Sequence, residues 1–225
     1  MKKLLAAIIA AALLLSGCSL SSRPAVSAPP AETPSPSPTP IVTPAPEPEP
    51  SDDELVLVRD YIPGLFIDLK YATTDNFTGQ VIYDSDEAYL RYGTVKKLLA
   101  AQNELSGRGL SLKIWDAYRP VSAQFKLWEI CPNPVYVSDP NNGYSKHSRA
   151  NTVDITLVTS TGESIPMPSG FDDFTSLADR DYSDVSAEAA ENARLLESIM
   201  VENGFVPYSG EWWHYSDSVS YDVYG

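Results

Sequence analysis

The sequence has few cysteines and few basic residues. Its two cysteines are Cys18 and Cys131. If Cys18 carries the lipid described below, no intrachain disulfide can form, and Cys131 is expected to be a small, at least half-buried side chain. Lysine and arginine number 16 against 30 acidic residues, which gives a formal net charge of -14. Such an acidic surface disfavours nucleic acid and anionic polymers as partners.

Apolar runs long enough to span a bilayer are also missing. Lys2 and Lys3 precede an apolar run over residues 4–15 that is too short for this role, and Ser16-Gly17-Cys18 follows it. Residues 1–18 are therefore predicted to be a signal peptide whose end resembles the bacterial lipoprotein box, with Cys18 as the lipidated residue. We expect an extracytoplasmic membrane lipoprotein of the bacterial cell envelope, held in the membrane by this anchor. The alternative is an ordinary cleaved signal peptide that has a cysteine nearby.

Residues 19–52 are dominated by Pro, Ser, Ala, Thr and Glu and show no apolar periodicity. Such a segment cannot bury enough apolar surface to fold, so it is predicted to be a disordered tether. A proline-rich ligand for a partner protein is the less favoured interpretation. Residues 53–225 are enough for one domain with its own core. The sequence does not indicate an oligomeric state.

Apolar patterning in residues 53–225 predicts short strands mixed with a few helices. The predicted strands cover residues 55–59, 65–71, 110–115, 153–159, 205–208 and 212–215. Helices are predicted over 87–106, over 120–129 with Pro120 in the first turn, and from the capping residue Ser186 to Gly204. Because no regular βαβ alternation is present, we predict an α+β fold in which helices flank a mainly antiparallel central sheet.

Both histidines of the chain lie near carboxylates. His147 precedes Asp154 by seven residues, and His214 follows Glu211 by three. Two imidazoles and one carboxylate are a common ligand set for catalytic Zn²⁺, which keeps a fourth position open for water. One zinc ion per chain is therefore predicted. The competing interpretation is that both histidines are ordinary structural residues.

Strand geometry divides the roles of these four residues. His147 and Asp154 would lie on opposite faces of a straight strand, so His147 is expected in the loop that enters the strand. Glu211 and His214 are also at odd spacing, so we expect His214 to be the third ligand and Glu211 the general base for a metal-activated water. The two tryptophans between them are expected to hold this pair in place rather than to stack on substrate.

Arg119 follows Asp116 at a predicted strand-to-helix junction, where a guanidinium can project into a cleft. Hydrolysis of an amide develops an oxyanion, which a planar guanidinium stabilises without giving up a proton. Asp116 either holds that guanidinium or caps the end of the strand. The acidic stretch over residues 172–181 does not fit a calcium loop, and its default interpretation is a solvated loop.

Five sequence blocks in a fixed order carry a resemblance to a known family. They are Tyr71-Ala72-Thr73-Thr74-Asp75-Asn76-Phe77-Thr78-Gly79, Trp115-Asp116-Ala117-Tyr118-Arg119-Pro120, Ser145-x-His147 through Asp154, Gly170-Phe171-Asp172, and Glu211-Trp212-Trp213-His214-Tyr215. In this combination, residues 54–217 resemble the zinc D-alanyl-D-alanine dipeptidases of the VanX type. These belong to a zinc D,D-peptidase group that shares its fold with the Hedgehog signalling domain. The first block resembles the dipeptidases more than the carboxypeptidases of that group.

The resemblance implies a role for each matching residue. The predicted site residues are His147, Asp154 and His214 for the metal, Glu211 and Arg119 for catalysis, and Ser145, Asp172, Asp116 and Tyr71 for substrate binding. By this resemblance Asp172 pairs with the free ammonium group of a substrate. That pairing favours free dipeptides, because a long peptide has no amino terminus at that depth.

The chain departs from the family pattern Ser-x-His-x-x-Gly-x-Ala-x-Asp at two positions. Ala150 stands in place of Gly, and Thr152 stands in place of Ala. Both add bulk between the metal residues, so small shifts of the site or of substrate preference are expected. The predicted lipid anchor is a third departure, since the members associated with vancomycin resistance are cytoplasmic.

The resulting hypothesis is a zinc metallopeptidase that hydrolyses D-Ala-D-Ala or related D,D-dipeptides outside the cytoplasmic membrane. The first alternative is a D,D-carboxypeptidase that trims the terminal D-Ala from peptidoglycan stem peptides. The second is a zinc-stabilised module that binds wall fragments without cutting them. It is disfavoured because a binder needs neither Glu211 nor Arg119.

Overall fold

The computed structural model describes residues 48–224. The predicted signal peptide over residues 1–18, the lipidation of Cys18 and most of the predicted tether over residues 19–52 lie outside this range. In the part of the chain that is described, no helix is both long and apolar enough to cross a membrane.

The described residues form three α-helices and seven strands. The helices are α1, Tyr92–Ser106; α2, Val121–Ile130; and α3, Ala187–Glu202. The strands are β1, Leu55–Leu57; β2, Phe66–Ile67; β3, Tyr89–Arg91; β4, Leu110–Asp116; β5, Thr152–Thr159; β6, Phe205–Tyr208; and β7, Glu211–Asp217. Short 3₁₀ turns lie at Val58–Asp60, Lys70–Ala72, Lys146–Arg149 and Ser176–Ala178.

Five of the strands form the central sheet, in the order β2-β4-β5-β7-β6. β2 runs parallel to β4, and the other three pairs are antiparallel. β1 and β3 form a separate antiparallel pair. The predicted α+β fold with a mainly antiparallel central sheet is confirmed.

The core lies between the central sheet and the helices α1 and α3, of which α1 packs mainly on β4 and α3 mainly on the edge strand β6. Alternation along a strand sends every second side chain to the helix side. The buried residues there include Leu98 and Leu105 of α1, Leu112 and Ile114 of β4, Ile155 of β5 and Leu196 of α3. Asp154 alternates with Ile155, so its carboxylate projects from the other face of the sheet, where the site lies.

The segment between residues 55 and 91 differs most from the prediction. The strand predicted over residues 55–59 ends at Leu57, and the one predicted over 65–71 shrinks to β2, because each is followed by a 3₁₀ turn. The helix predicted from residue 87 begins only at Tyr92. Residues 89–91 pair with β1 instead, and this tertiary pairing outweighs their place in a helix-favouring sequence.

The ends of the other helices lie close to the predicted positions. The Ser186 hydroxyl accepts a hydrogen bond from the Ala189 backbone N–H at 3.1 Å, so it caps α3 as predicted. Pro120 is the N-cap residue of α2 rather than part of its first turn. Gly204 follows α3 with a φ of +85°, a left-handed conformation that glycine adopts without strain.

A β-bulge at Trp115 directs Asp116 toward the site. Ile114 pairs with Ile155 and Asp116 pairs with Asp154, so Trp115 has no partner on β5. Strict alternation would place Asp116 on the helix side with Ile114, but the extra residue returns it to the face of Asp154. The bulge therefore places two carboxylates side by side on one face.

Candidate metal centre

His147 lies in the 3₁₀ turn that enters β5, as its spacing to Asp154 predicts. The Ser145 hydroxyl caps this turn by accepting the His147 backbone N–H at 3.3 Å. The ring of His147 is buried, and its Nδ1 lies 2.8 Å from the Ala117 carbonyl oxygen. A donated hydrogen bond from Nδ1 leaves Nε2 as the atom free to bind a metal.

Asp154 and His214 lie directly opposite each other on the neighbouring strands β5 and β7. The distance from Asp154 Oδ1 to His214 Nδ1 is 2.9 Å, and that from Asp154 Oδ2 to His147 Nε2 is 3.3 Å. One ligand atom from each of the three residues lies within 4.8 Å of the others. The two histidine-containing segments, distant in sequence, therefore converge on one aspartate.

The cluster fits a zinc ion. Two ligand atoms bound at about 2.0–2.1 Å in tetrahedral geometry lie roughly 3.3 Å apart, which matches the spacing here. Asp154 Oδ1 is buried and accepts no hydrogen bond from any group within residues 48–224, although an imidazole lies next to it. A buried carboxylate oxygen without a hydrogen bond is costly unless a cation binds it. These features confirm the prediction of a zinc site, while the individual ligand atoms stay a prediction.

The carboxyl group of Asp154 is held in its ionised form at this cluster. Burial disfavours the ionised form of Asp154, but the imidazoles of His147 and His214 outweigh it and hold the pKa of this carboxyl well below its ordinary value. A carboxylate that stays ionised is the form that binds a metal.

Glu211 lies at the edge of the cluster, with its Oε2 3.4 Å from His214 Nδ1. Its side chain is partly exposed, unlike that of Asp154. Burial raises the pKa of Glu211, the charge of His214 opposes this, and the nearby Asp154 raises it further. The intervening Trp212 and Trp213 are fully buried, as expected of residues that hold Glu211 and His214 in place.

Arg119 is buried next to the cluster and fixed by two side chains. Its Nη2 donates to Asp116 Oδ2 at 2.6 Å, its Nε donates to the same oxygen at 3.3 Å, and its Nη1 donates to Gln124 Oε1 at 3.0 Å. Burial opposes the charge, but Asp116 outweighs it and raises the pKa of Arg119, so the guanidinium stays protonated. Of the roles predicted for Asp116, the structure supports holding the guanidinium, while contact with substrate stays a prediction.

Asp172 and Tyr71 meet although 101 residues separate them in sequence, because the Tyr71 hydroxyl donates to Asp172 Oδ2 at 2.7 Å. The Arg119 guanidinium lies 5.1 Å from the centre of the Tyr71 ring. Burial raises the pKa of Asp172 to about 7. The default interpretation of residues 172–181 as a solvated loop is wrong for Asp172, and also for Arg180, whose side chain is only 10% exposed.

Comparison with known proteins identifies the family. The peptidase M15 model, described as D-Ala-D-Ala dipeptidase, matches residues 51–221. The D-alanyl-D-alanine dipeptidase of Escherichia coli (strain K12) is 40% identical over 162 residues, 72% of this chain and 83% of that protein. The D-alanyl-D-alanine dipeptidase of Enterococcus faecium is 36% identical over 176 residues, 69% of this chain and 87% of that protein. The chain belongs to the D-Ala-D-Ala dipeptidase family.

Among solved structures, this member of the dipeptidase family has a distant match. VanYB in complex with D-Alanine-D-Alanine aligns with a TM-score of 0.40 and 15% identity, over 60% of this chain and 75% of that one. A likeness this low does not bear on the site. Family membership rests on the sequence match.

The two departures from the dipeptidase pattern have local structural explanations. Ala150 ends the 3₁₀ turn at φ 58° and ψ 28°, a left-handed conformation that explains why glycine is usual there. Thr152 donates its hydroxyl to Ser216 Oγ at 3.1 Å, across the β5–β7 ladder. The methyl group of Ala150 is therefore carried by a strained turn residue, whereas the hydroxyl of Thr152 has a hydrogen-bond partner.

Three residues that support the dipeptidase site are missed by the sequence analysis. Tyr83 donates to Asp116 Oδ1 at 2.5 Å, Gln124 accepts from Arg119, and Arg180 donates to backbone carbonyls of β7. All three lie outside the shared blocks. Only Gln124 had a usable signal, because it is one helical turn after the start of α2 and close in sequence to Arg119.

Proposed function

We propose that the chain is a zinc-dependent dipeptidase that hydrolyses D-alanyl-D-alanine or closely related D,D-dipeptides. The observation that carries the proposal is the convergence of His147, Asp154 and His214, with Glu211 at the edge of the cluster. This is the ligand set and the adjacent carboxylate of a hydrolytic zinc site. The D-alanyl-D-alanine dipeptidases at 36–40% identity support the substrate class.

Glu211 acts in this proposal as the group that moves the proton. When bound, Zn²⁺ lowers the pKa of water to about 7 and polarises a carbonyl oxygen. The Glu211 carboxylate accepts a proton from the attacking water and returns it to the leaving amine. Its raised pKa, caused first by burial, brings it closer to the neutral range in which such a base works best.

Arg119 acts as the fixed positive charge for the oxyanion that develops on the substrate. Its guanidinium donates three hydrogen bonds, two to Asp116 and one to Gln124. A guanidinium has five N–H donors, so two have no acceptor among the described residues and are available to substrate oxygen atoms. Because the group is already oriented, little reorganisation is needed when charge develops in the transition state.

Asp172 and Ser145 act as the substrate-binding groups. The Asp172 carboxylate, hydrogen-bonded by Tyr71, pairs with the ammonium group of a free dipeptide. Ser145 Oγ accepts the N–H of His147, and no group within residues 48–224 takes its hydroxyl hydrogen in a hydrogen bond. That hydrogen is available to a substrate oxygen.

The direct test measures release of D-Ala from D-Ala-D-Ala by the purified full chain, with Zn²⁺ and with a chelator. We expect release only with the metal, and a loss of about 10²–10⁴-fold in kcat for Glu211→Gln, the range for a general base. Glu191→Gln, on the exposed side of α3, is the matched control and should keep full activity. No zinc-dependent release, or full activity of Glu211→Gln, would overturn the proposal.

A second measurement separates the alternative activities. The free dipeptide and an N-acylated tripeptide are compared as substrates, and pairing of the ammonium with Asp172 predicts strong discrimination against the blocked amine. Equal rates would favour a carboxypeptidase. Tight zinc-dependent binding of D-Ala-D-Ala without turnover would favour a binding module.

We also propose that the domain is anchored outside the cytoplasmic membrane by a lipid on Cys18. The support is the sequence pattern alone: the basic residues, the apolar run and the Ser-Gly-Cys end of the signal peptide. Cys18→Ser should move the protein from the membrane fraction to a soluble fraction, while the control Cys131→Ser should stay with the membrane. A Cys18→Ser protein that stays membrane-bound would contradict the anchor.

A further inference from the structure

The backbone ladder that carries Glu211 and His214 is interrupted. On the β6 side, Tyr208 pairs with Glu211 and Pro207 pairs with Tyr215, so residues 212–214 of β7 bulge out without partners. Pro207 has no N–H to donate across this gap. On the other side, the pairing of β5 with β7 stops at Asp154 and His214. The strand that carries two site residues therefore lacks regular support where it approaches the metal cluster.

Arg180 supplies hydrogen-bond donors to this bulge from a distant loop. Its Nη2 donates to the Glu211 carbonyl at 3.1 Å and to the His214 carbonyl at 3.2 Å. Its Nε donates to the Tyr208 carbonyl at 2.7 Å. One guanidinium thus holds the backbone at both ends of the bulge and the hairpin residue opposite. Charged donors form stronger hydrogen bonds than neutral ones.

The guanidinium is itself held in one orientation. Its Nη1 donates to Glu197 Oε2 at 2.9 Å and to the Tyr215 hydroxyl at 3.1 Å. The group also lies 4.6 Å from the centre of the Tyr215 ring. With its side chain only 10% exposed, Arg180 is a fixed part of the fold rather than a surface charge.

We propose that Arg180 is a positioning residue of the zinc site. Its guanidinium takes the place of the backbone N–H groups that a regularly paired neighbouring strand would offer to the carbonyls of β7, and it so fixes Glu211 and His214 relative to Asp154. Its predicted effect on catalysis rests on the proposed function, whereas its predicted effect on metal binding does not. Groups that orient metal ligands commonly change metal affinity or activity by about 10–100-fold when they are removed.

The test compares Arg180→Lys and Arg180→Ala with the wild type as full-length proteins. Zinc affinity is measured by competition with a chelator, ligand geometry by the absorption spectrum of the Co²⁺-loaded protein, and kcat and KM with D-Ala-D-Ala. We expect zinc binding weaker by about 10–100-fold, an altered Co²⁺ spectrum, and a fall in kcat larger than the change in KM. Lysine should not rescue, because one ammonium group cannot reach three carbonyls in the fork geometry of arginine.

Two control variants separate positioning from charge and from general stability. Arg194→Ala removes an exposed arginine whose guanidinium lies over the Tyr182 ring, and it should leave zinc affinity and activity unchanged. Glu197→Gln removes the ion pair of Arg180 but keeps the guanidinium, so zinc affinity should change by less than about threefold, as for a partly exposed ion pair.

Several outcomes would overturn the positioning role. One is a folded Arg180→Lys protein with wild-type zinc affinity and Co²⁺ spectrum, and this variant decides the matter if Arg180→Ala does not fold. Another is a loss in Glu197→Gln as large as that in Arg180→Ala. If the wild type binds zinc but hydrolyses no D,D-dipeptide, the proposed function fails while the zinc measurements still decide the role of Arg180.

Discussion

At the residue scale, burial raises the pKa of Asp172 to about 7, while the hydrogen bond from Tyr71 partly opposes this shift. A carboxyl group with a raised pKa is protonated below that value and ionised above it. Only the ionised form pairs with an ammonium group. The affinity of the site for a free dipeptide should therefore rise as pH increases through 7.

The first prediction is that KM for D-Ala-D-Ala rises by about tenfold for each pH unit below the pKa of Asp172, because the carboxylate fraction falls in that proportion. KM is measured from pH 5 to about 7.5, where the amine of the substrate is still protonated. Asp172→Asn should raise KM and remove the pH dependence. Tyr71→Phe should shift the midpoint upward, since the hydroxyl that favours the ionised form is lost. A flat KM profile in the wild type would contradict the role of Asp172.

Ala150 is the second residue with a testable local conformation. It is fully buried at a φ of 58°. For Ala150→Gly the relief of left-handed strain is offset by the lost methyl burial and by the greater freedom of the unfolded glycine, so the free energy of unfolding should change by less than about 1 kcal/mol. Ala150→Val should destabilise by about 2–3 kcal/mol, because a β-branched residue is strongly disfavoured there. Urea unfolding of both variants measures this, and an equal effect of Val and Gly would contradict the explanation.

At the element scale, two of the three strands that reach the site, β4 and β7, contain a bulge, whereas β5 carries Asp154 in regular pairing with β7. The bulge at Trp115 in β4 directs Asp116 to the face of Asp154, and the bulge at residues 212–214 of β7 brings Trp212, Trp213 and His214 into place. Bulges locally disrupt pairing, so each needs outside hydrogen bonds. Tyr83 and Arg119 reach Asp116 after the first bulge, and Arg180 reaches the second.

The start of α2 gives an element-scale prediction. Gln124 is fully buried, accepts from Arg119 Nη1 at 3.0 Å and donates to the Ser138 carbonyl. In Gln124→Leu the guanidinium loses one of its two anchors, and kcat/KM should fall by about tenfold, equal to roughly 1.4 kcal/mol and typical of a hydrogen bond to a charged group. Steady-state kinetics measures the change, with exposed Gln80→Leu as the control. Unchanged kcat/KM in Gln124→Leu would show that Asp116 alone orients Arg119.

At the scale of the whole molecule, the site joins segments from the length of the described chain. Beyond the sheet, the residues after β7 cross the 3₁₀ turn that carries His147. The Tyr224 N–H donates to the Ser148 carbonyl at 2.9 Å, and the Arg149 guanidinium donates to the Tyr221 carbonyl at 2.7 Å. His147, the predicted metal ligand in this turn, is therefore braced by residues more than 70 positions later in the chain.

Because the zinc site joins distant segments, removal of the metal should lower the stability of the whole domain. A metal that binds only the folded state stabilises it by mass action, by about 4 kcal/mol when its concentration is a thousand times its Kd. We expect the thermal unfolding midpoint to fall when a chelator removes Zn²⁺ and to recover when Zn²⁺ is added back. Asp154→Asn should abolish most of this difference. Identical midpoints with and without zinc in the wild type would contradict a site built from these segments.

Some parts of the fold and of the site are local in origin and could be predicted. The Ser186 cap, the strand β5 and the position of His147 before it follow from residue types at short spacing. The strands predicted over residues 55–59 and 65–71 are too long, because each is followed by a 3₁₀ turn. The helix predicted from residue 87 starts too early, because residues 89–91 pair with β1, a long-range interaction that competes with helix propensity. The roles of Tyr83 and Arg180 also depend on contacts between distant segments, which local sequence patterns do not predict.

The α+β class and the residue types of a zinc hydrolase site can be predicted from local sequence, because apolar periodicity and short motifs are properties of neighbouring residues. Long-range packing, in contrast, places Asp116 on the face of Asp154, brings Asp172 against Tyr71, and directs Arg180 from an acidic loop to the backbone of β7. Bulges, burial and hydrogen bonds depend on which distant segments pack together. Such packing sets both the direction of a side chain and the pKa of its ionisable group.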